Sequence, residues 1–349
     1  MENVVTPDLS VGALGYSKRP AFANVYAVAG RFISVESPDA QFTELFRRYF
    51  AGWHVEPVLD NDPVRPDANI LITANDPPPA PAHLESFEVA DGGICRTDAE
   101  TYFFENNGSA VRAGIDRPPL VEVWIGNRPE ARERSALARL IFNASMAAMR
   151  RCGLFELHAA GMVEAERDAG ILVIGPSGSG KSTLATQLAA AGWQYLSDDS
   201  LLLFSEADTV KARALRRVFA LSDETLSASG MDLESIATET VPIDPMKTRF
   251  EPRSVFPDSF IDVSVPGTMF FSQVTNESAS RTRALSQRET MTQLIRMCPW
   301  SCYDKPAAQT HLSLLAALAR QAQGYLLFAG TDLFGDPEYT SRFLRSRME

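Results

Sequence analysis

Thirteen residues in the middle of the chain, Ile171 to Thr183 (ILVIGPSGSGKST), constrain its fold more than any other stretch. Leu172-Val173-Ile174 has the continuous apolar character of a strand buried on both faces. Leu184, Leu188 and Ala191 then recur at helical spacing until Gly192 offers a C-cap. Between strand and helix, Gly175 to Ser182 spell G-x-x-x-x-G-K-[ST]. A strand, a glycine loop and a helix in that order form a phosphate cradle. Glycines let successive backbone N–H groups point inward, with no Cβ in the way, and the helix turns the positive end of its dipole to the same anion. The expected phosphate-binding set is Gly175, Pro176, Ser177, Gly178, Ser179, Gly180, Lys181, Ser182 and Thr183. In it Lys181 reaches the outer phosphates and Ser182 offers a hydroxyl to Mg²⁺.

Seventeen residues after Lys181, past one helix and the short strand Trp193 to Ser197, come Asp198 and Asp199. That length suits a helix of about three turns and a return strand beside the first, which would carry both carboxylates to the phosphate end of a sheet. Two acids there divide two tasks: one holds Mg²⁺ together with Ser182, the other accepts a proton from an attacking hydroxyl. We expect Asp198 as base and Asp199 as metal ligand, an order the sequence alone leaves reversible. Stabilising a transferring phosphoryl group also needs positioned cations, for which Arg217, Lys247 and Arg249 are candidates. The stretch Pro245 to Phe250 reads as a loop able to close over the site.

The remaining sequence reads as a mixed α/β chain. Residues 1 to about 22 form a loose arm, Tyr26 to Val35 alternates as one strand, and Asp39 to Phe50 makes a helix. Ala68 to Thr73 is a strand, and Pro77 to Pro81 is a stiff loop. Short strands follow at Ser86–Ala90, Thr101–Glu105, Ala110–Ala113 and Leu120–Ile125. Pro129 opens a long helix with an apolar face of Leu137, Leu140, Ile141, Ala144 and Ala148, closed by Gly153. Phe155 to Val163 and the P-loop strand meet at a turn as a hairpin. Strands at Pro266–Val274 and Tyr325–Ala329 alternate with helices at Glu289–Met297, Ala307–Gln323 and Pro337–Arg347. We expect an N-terminal mixed α/β domain over 1–128, a connecting helix over 129–153 and a P-loop domain over 154–349.

Composition excludes several roles. Lys and Arg number 33 against 44 Asp and Glu, a formal charge of −11, which makes the chain a poor non-specific binder of nucleic acid. The N-terminus lacks the apolar core of a signal peptide, and the longest apolar stretches are interrupted by Arg139 and Asn143, so we expect a cytoplasmic protein without a membrane span. Cys95, Cys152, Cys298 and Cys302 show no paired CxxC spacing and read as reduced thiols.

Three motifs in fixed order, Leu157-His158-Ala159-Ala160, Gly175 to Ser182 and Leu196-Ser197-Asp198-Asp199, resemble the catalytic domain of the HPr kinase/phosphorylase family, whose core is shared with phosphoenolpyruvate carboxykinases. The resemblance spans roughly Phe155 to Cys298. It implies an α/β P-loop kinase core of that type behind a small mixed α/β N-terminal domain, with ATP and Mg²⁺ as cofactors and oligomers of unspecified number. It also implies a role for His158, which by itself would read as a core histidine: His158 and Asp198 sit by the transferred phosphoryl group, and an aspartate with Ser182 holds the metal. The chain departs from the bifunctional members in having Thr183 where they place a glutamate, and in lacking their E-[IL]-R-G-L-G stretch. Leu215 to Asp223 and Lys247-Thr248-Arg249 look instead like divergent HPr-kinase-related proteins. Some of those are encoded with lasso peptides and other peptide natural products, and phosphorylate a serine of a precursor peptide. The expectation is thus an ATP-dependent kinase acting on a Ser/Thr hydroxyl of a protein or precursor peptide. The alternatives are a P-loop small-molecule kinase and a non-catalytic, ATP-gated binding protein.

Overall fold

The computed structural model describes residues 22–59, 64–89, 93–165, 169–222 and 247–348, with the side chains of Ser222 and Lys247 outside the described set. It is a mixed α/β structure with several sheets. The expected N-terminal arm lies almost wholly outside the described residues.

The stretch from Tyr26 to Val35, expected as one strand, is a hairpin of β1 (Phe22–Val28) and β2 (Arg31–Ser37). Ala29 and Gly30 both take positive φ, 47° and 71°, the backbone of a two-residue turn whose twist matches the flanking strands. Alternation continues through such a turn, which is why the break is invisible in the pattern. Helix α1 (Ala40–Phe50) follows, N-capped by the Asp39 carboxylate accepting from Gln41 N at 3.0 Å, and buries Phe42, Phe46 and Phe50 along one stripe. Then come β3 (Glu56–Pro57), β4 (Ala68–Thr73), β5 (Glu85–Val89), β6 (Gly93–Thr97), β7 (Tyr102–Asn106), β8 (Ser109–Ala113) and β9 (Leu120–Trp124). They join β1 and β2 in a nine-stranded sheet, order β3-β1-β2-β4-β9-β8-β7-β6-β5, parallel only at β2–β4–β9. Pro77 to Pro81 carries no helix or strand.

The helix expected from Pro129 begins as a 3-10 turn, Pro129–Arg132, and only then becomes α2 (Arg134–Arg151). Its sequence shows one apolar face, yet Ala144 to Arg150 are buried without interruption. A helix enclosed on all sides is a core element, and α2 packs on β4, β8 and β9 as well as on the C-terminal half of the chain. At its end Arg150 and Arg151 converge on Asp304: Arg150 Nε to Oδ2 at 2.6 Å, Arg151 Nη1 to Oδ2 at 2.7 Å and Nη2 to Oδ1 at 3.0 Å. Burial opposes ionisation of Asp304, but the two guanidinium groups outweigh it and hold the carboxyl below its usual range. Arg150 also lies over Tyr102 and Trp300, so the cluster fastens the N-terminal sheet to the rest.

The C-terminal half contains β10 (Phe155–Leu157), β11 (Ala159–Glu164), β12 (Ala169–Ile174), α3 (Lys181–Ala190), β13 (Gln194–Ser197), β14 (Leu201–Glu206) and β15 (Thr209–Ala214). After these come β16 (Phe219–Ser222), β17 (Lys247–Phe250), β18 (Val263–Ser264), β19 (Pro266–Val274) and β20 (Arg281–Ala284). Helices α4 (Gln287–Met297), α5 (Trp300–Tyr303) and α6 (Lys305–Gln321), strand β21 (Gln323–Ala329) and α7 (Pro337–Arg345) complete it. The β11–β12 hairpin forms as expected. The strand after α3 does not lie beside β12: the sheet order is β13-β11-β12-β19-β21-β20, so β11 intervenes. Because β11 is antiparallel to both neighbours, β12 and β13 still end on the same side. Lys247 to Phe250, expected as a loop, is strand β17 paired with β16, while Pro245 and Met246 lie outside the described residues.

Both faces of the six-stranded sheet are covered. Ile171 and Val173 of β12 face Leu184, Leu188 and Leu344, whereas Leu172 and Ile174 face Leu294, Leu315 and Leu318. Burial on both sides accounts for the unbroken apolar run that marked β12 in the sequence. Among the described residues no helix is long and apolar enough to cross a membrane.

Candidate functional site

Three strand ends meet on one side of this sheet: the C-terminus of β12, the start of β11 and the C-terminus of β13. The first supplies the glycine loop. Gly178 and Gly180 take φ of +79° and +85°, conformations that residues with a Cβ rarely adopt, and Gly180 is the left-handed N-cap of α3. A Cβ on Gly175 would meet the Ser179 hydroxyl and, at 2.8 Å, the Ser272 carbonyl, so the loop approaches β19 as closely as only glycine permits. Ser272 Oγ donates to Ser179 O at 2.7 Å and pins the loop there. Pro176, Ser177 and Gly178 form an exposed crest, and Ser182 and Thr183 are half-buried on the first turn of α3.

Lys181 is buried, its ammonium donating to Gly175 O at 2.9 Å and Pro176 O at 3.1 Å. Its third neighbour is His158 Nε2 at 2.9 Å. His158 occupies the break where the chain leaves β10, in one sheet, for β11 in the next. With Nε2 accepting from an ammonium, the ring's proton is assigned to Nδ1, which faces Asp199 Oδ1 at 3.2 Å. The other Asp199 oxygen meets Arg216 Nη1 at 3.4 Å. A continuous polar chain therefore runs from Lys181 through His158 and Asp199 to Arg216.

Asp198 points the opposite way, into the protein, and is 1% exposed. Oδ2 accepts from Ala220 N at 3.1 Å, Oδ1 is buried without a partner, and the Ser182 side chain is near enough to favour the charged carboxylate. Burial, reinforced by the neighbouring Asp199 charge, lifts the carboxyl to about 7. Behind the pair, burial also pushes up the Glu156 carboxyl, which accepts from Ser200 Oγ at 3.3 Å.

The expected cations separate. Arg249, on β17, stands opposite Ala220 of β16, whose N–H is the Asp198 donor. Lys247 is placed only by its backbone, opposite Ser222. Arg217 turns to the N-terminal sheet, donating from Nε to Trp53 O at 2.5 Å and pairing with Glu56. A guanidinium that meets Asp199 is that of Arg216, which sequence reasoning passed over. In Leu215-Arg216-Arg217 two adjacent arginines must face opposite sides of an extended chain, and only the β-bridge of Arg216 to Trp53 fixes which one faces Asp199.

The donor set suits a hard cation. Among the described residues no three His, Cys, Asp or Glu groups gather as a metal cage. The Ser182 hydroxyl and the orphan Oδ1 of Asp198 nonetheless offer two oxygens beside the glycine loop. Mg²⁺ is commonly held in that way, with phosphate and water oxygens completing its shell.

No family model matches this sequence, and no curated protein does. Among solved structures, the Hpr(Ser) kinase/phosphatase from Coxiella burnetii is similar over 55% of this chain and 97% of that one, with 13% sequence identity and a TM-score of 0.29. The functional reading therefore rests on this chain's own site.

Proposed function

We propose that this protein is an ATP-dependent phosphotransferase that moves the γ-phosphoryl group to a hydroxyl, with a Ser or Thr of a protein or precursor peptide as acceptor. The observation that carries the reading is the meeting of a glycine phosphate loop with Ser182–Asp198 on one side and Lys181–His158–Asp199–Arg216 on the other. The Ser/Thr acceptor follows from the family resemblance of the three motifs.

Lys181 and the backbone N–H groups of 177–183 hold the phosphates. Ser182 and Asp198 would hold Mg²⁺, whose charge, when bound, neutralises the β- and γ-phosphate oxygens. The nearness of Ser182 to the Asp198 carboxyl and the orphan Oδ1 support this order of the two acids, the reverse of the expectation from sequence. Asp199, the more accessible of the two, then accepts the acceptor's hydroxyl proton as that oxygen bonds to the γ-phosphorus and the bond to ADP breaks. His158 donates from Nδ1 to Asp199 and fixes its orientation. Arg216 faces the charge that spreads over the transferring group.

Incubation with Mg-ATP carrying labelled γ-phosphate, against separate pools of Ser/Thr peptides and of hydroxylated metabolites, tests the proposal. Label on peptide is expected, and label on a metabolite alone would replace the acceptor class. ATP binding without label transfer or ADP formation in any pool would overturn the reading in favour of a nucleotide-gated binding protein.

A further inference from the structure

The residue that brings positive charge to Asp199 is held from the other half of the molecule. Arg216 lies between two backbone hydrogen bonds to the turn after α1: His54 N donates to Leu215 O at 2.8 Å, and Arg217 N donates to Gly52 O at 3.0 Å. Trp53 and Arg216 form the antiparallel bridge between them. The Arg217 side chain closes the same clamp through Trp53 O and Glu56. On its far side the segment is stapled to the acid turn, Leu215 N donating to Ser200 O at 3.2 Å.

Trp53 gives the clamp its stiffness. It is buried, with Tyr49, Phe50 and Phe142 around it at ring distances of 5.1, 5.6 and 6.1 Å. Displacing the Arg216 backbone thus means breaking two hydrogen bonds or dragging a buried indole from a packed core, and both are costly. The Arg216 side chain, by contrast, is a third exposed and meets Asp199 at the loose distance of 3.4 Å. It has room to shift toward a phosphoryl oxygen while its backbone stays fixed.

We propose that the Gly52–His54 turn is the positioning element for Arg216, and that it couples nucleotide occupancy of the P-loop to the N-terminal sheet. The inference rests on the phosphotransferase reading, in which Arg216 faces the transferring group. Coupling between sites is reciprocal, so whatever engages the N-terminal sheet at this turn is felt at Asp199.

Hydrogen–deuterium exchange of the full chain, with and without the magnesium complex of the nonhydrolysable analogue AMP-PNP, separates the two levels. Slower exchange is expected both in peptides covering 175–190 and, by at least about threefold, in the peptide covering 48–57. Arg216→Ala should keep the first effect and lose the second, Arg216→Gln should behave alike, and Arg216→Lys should restore part of it. Retained protection of 175–190 shows in the same experiment that a variant is folded. Protection at 175–190 with an unchanged 48–57 peptide in the wild type would overturn the coupling. Remote protection that survives in Arg216→Ala would overturn the relay through Arg216. No protection at 175–190 would fell the nucleotide reading itself, and this inference with it.

Discussion

Replacing Asp198 by asparagine should stabilise the protein at alkaline pH while destroying its proposed activity. The Asp198 carboxyl is lifted from 3.8 to about 7, first by burial and then by the charge of Asp199. Between those two values the folded chain keeps a proton that the unfolded chain releases, so stability falls as pH rises through the window and stays low above it. The lift is roughly three units at 1.36 kcal/mol each, about 4 kcal/mol once both states are ionised. Asparagine removes the ionisation, keeps an acceptor for Ala220 N, and puts an amide N–H₂ at the orphan Oδ1 position, where an unmet donor costs about 1 kcal/mol. The expected gain is on the order of 2–3 kcal/mol at pH 8, shrinking to zero or slightly below at pH 4. Urea unfolding of both proteins at pH 4, 6 and 8, in EDTA so that no divalent cation favours the carboxylate, measures it. A difference that does not change with pH, or a variant less stable than wild type at pH 8, would refute the buried-acid account.

Lys181→Ala should weaken Mg-ATP binding at least about tenfold, roughly 1.4 kcal/mol, in isothermal titration, and unchanged affinity would remove the lysine from the phosphate site. Gly175→Ala should both abolish nucleotide binding and lower stability, because the added Cβ is aimed at the buried Ser179 hydroxyl and at the Ser272 backbone carbonyl. Binding that survives would mean that the loop can open at no cost. Asp304→Ala strands the buried Arg150 beside Arg151, and should lower unfolding free energy by about 3–5 kcal/mol, read by urea denaturation. A loss under about 1 kcal/mol would show that water reaches the cluster.

Much of the local structure of the candidate site was legible because a strand–glycine loop–helix unit has a local grammar. The loop needs glycines at fixed positions, the strand before it is buried on both faces, and the helix after it caps at Gly192, so Ile171 to Gly192 could be read without any partner. Asp198 and Asp199 were legible by distance along the chain, although the strand carrying them pairs with β11 and not with β12. Their order was not, because which carboxylate turns inward to Ser182 depends on the twist of a two-residue turn. Arg216 was hidden for a related reason: its neighbour Arg217 carries the same charge, and only pairing with Trp53, more than 160 positions away, sorts the two. The hairpins at Ala29–Gly30 and Ala207–Asp208 were missed because alanine and aspartate there adopt positive φ without a strong turn sequence. The all-round burial of α2 is likewise a property of what surrounds it, since alanine-rich faces read as polar or apolar only in context.

The central claim is that one magnesium-bound triphosphate is held jointly by the glycine loop, Ser182 and an inward carboxylate. Calorimetric titration of ATP into wild type and Ser182→Ala, in Mg²⁺ and in EDTA, addresses it most directly. The account predicts that wild type prefers Mg-ATP over free ATP by about tenfold or more, and that Ser182→Ala reduces the preference to within about threefold. Wild type that binds no ATP at millimolar concentration, or a magnesium preference untouched in Ser182→Ala, would contradict it.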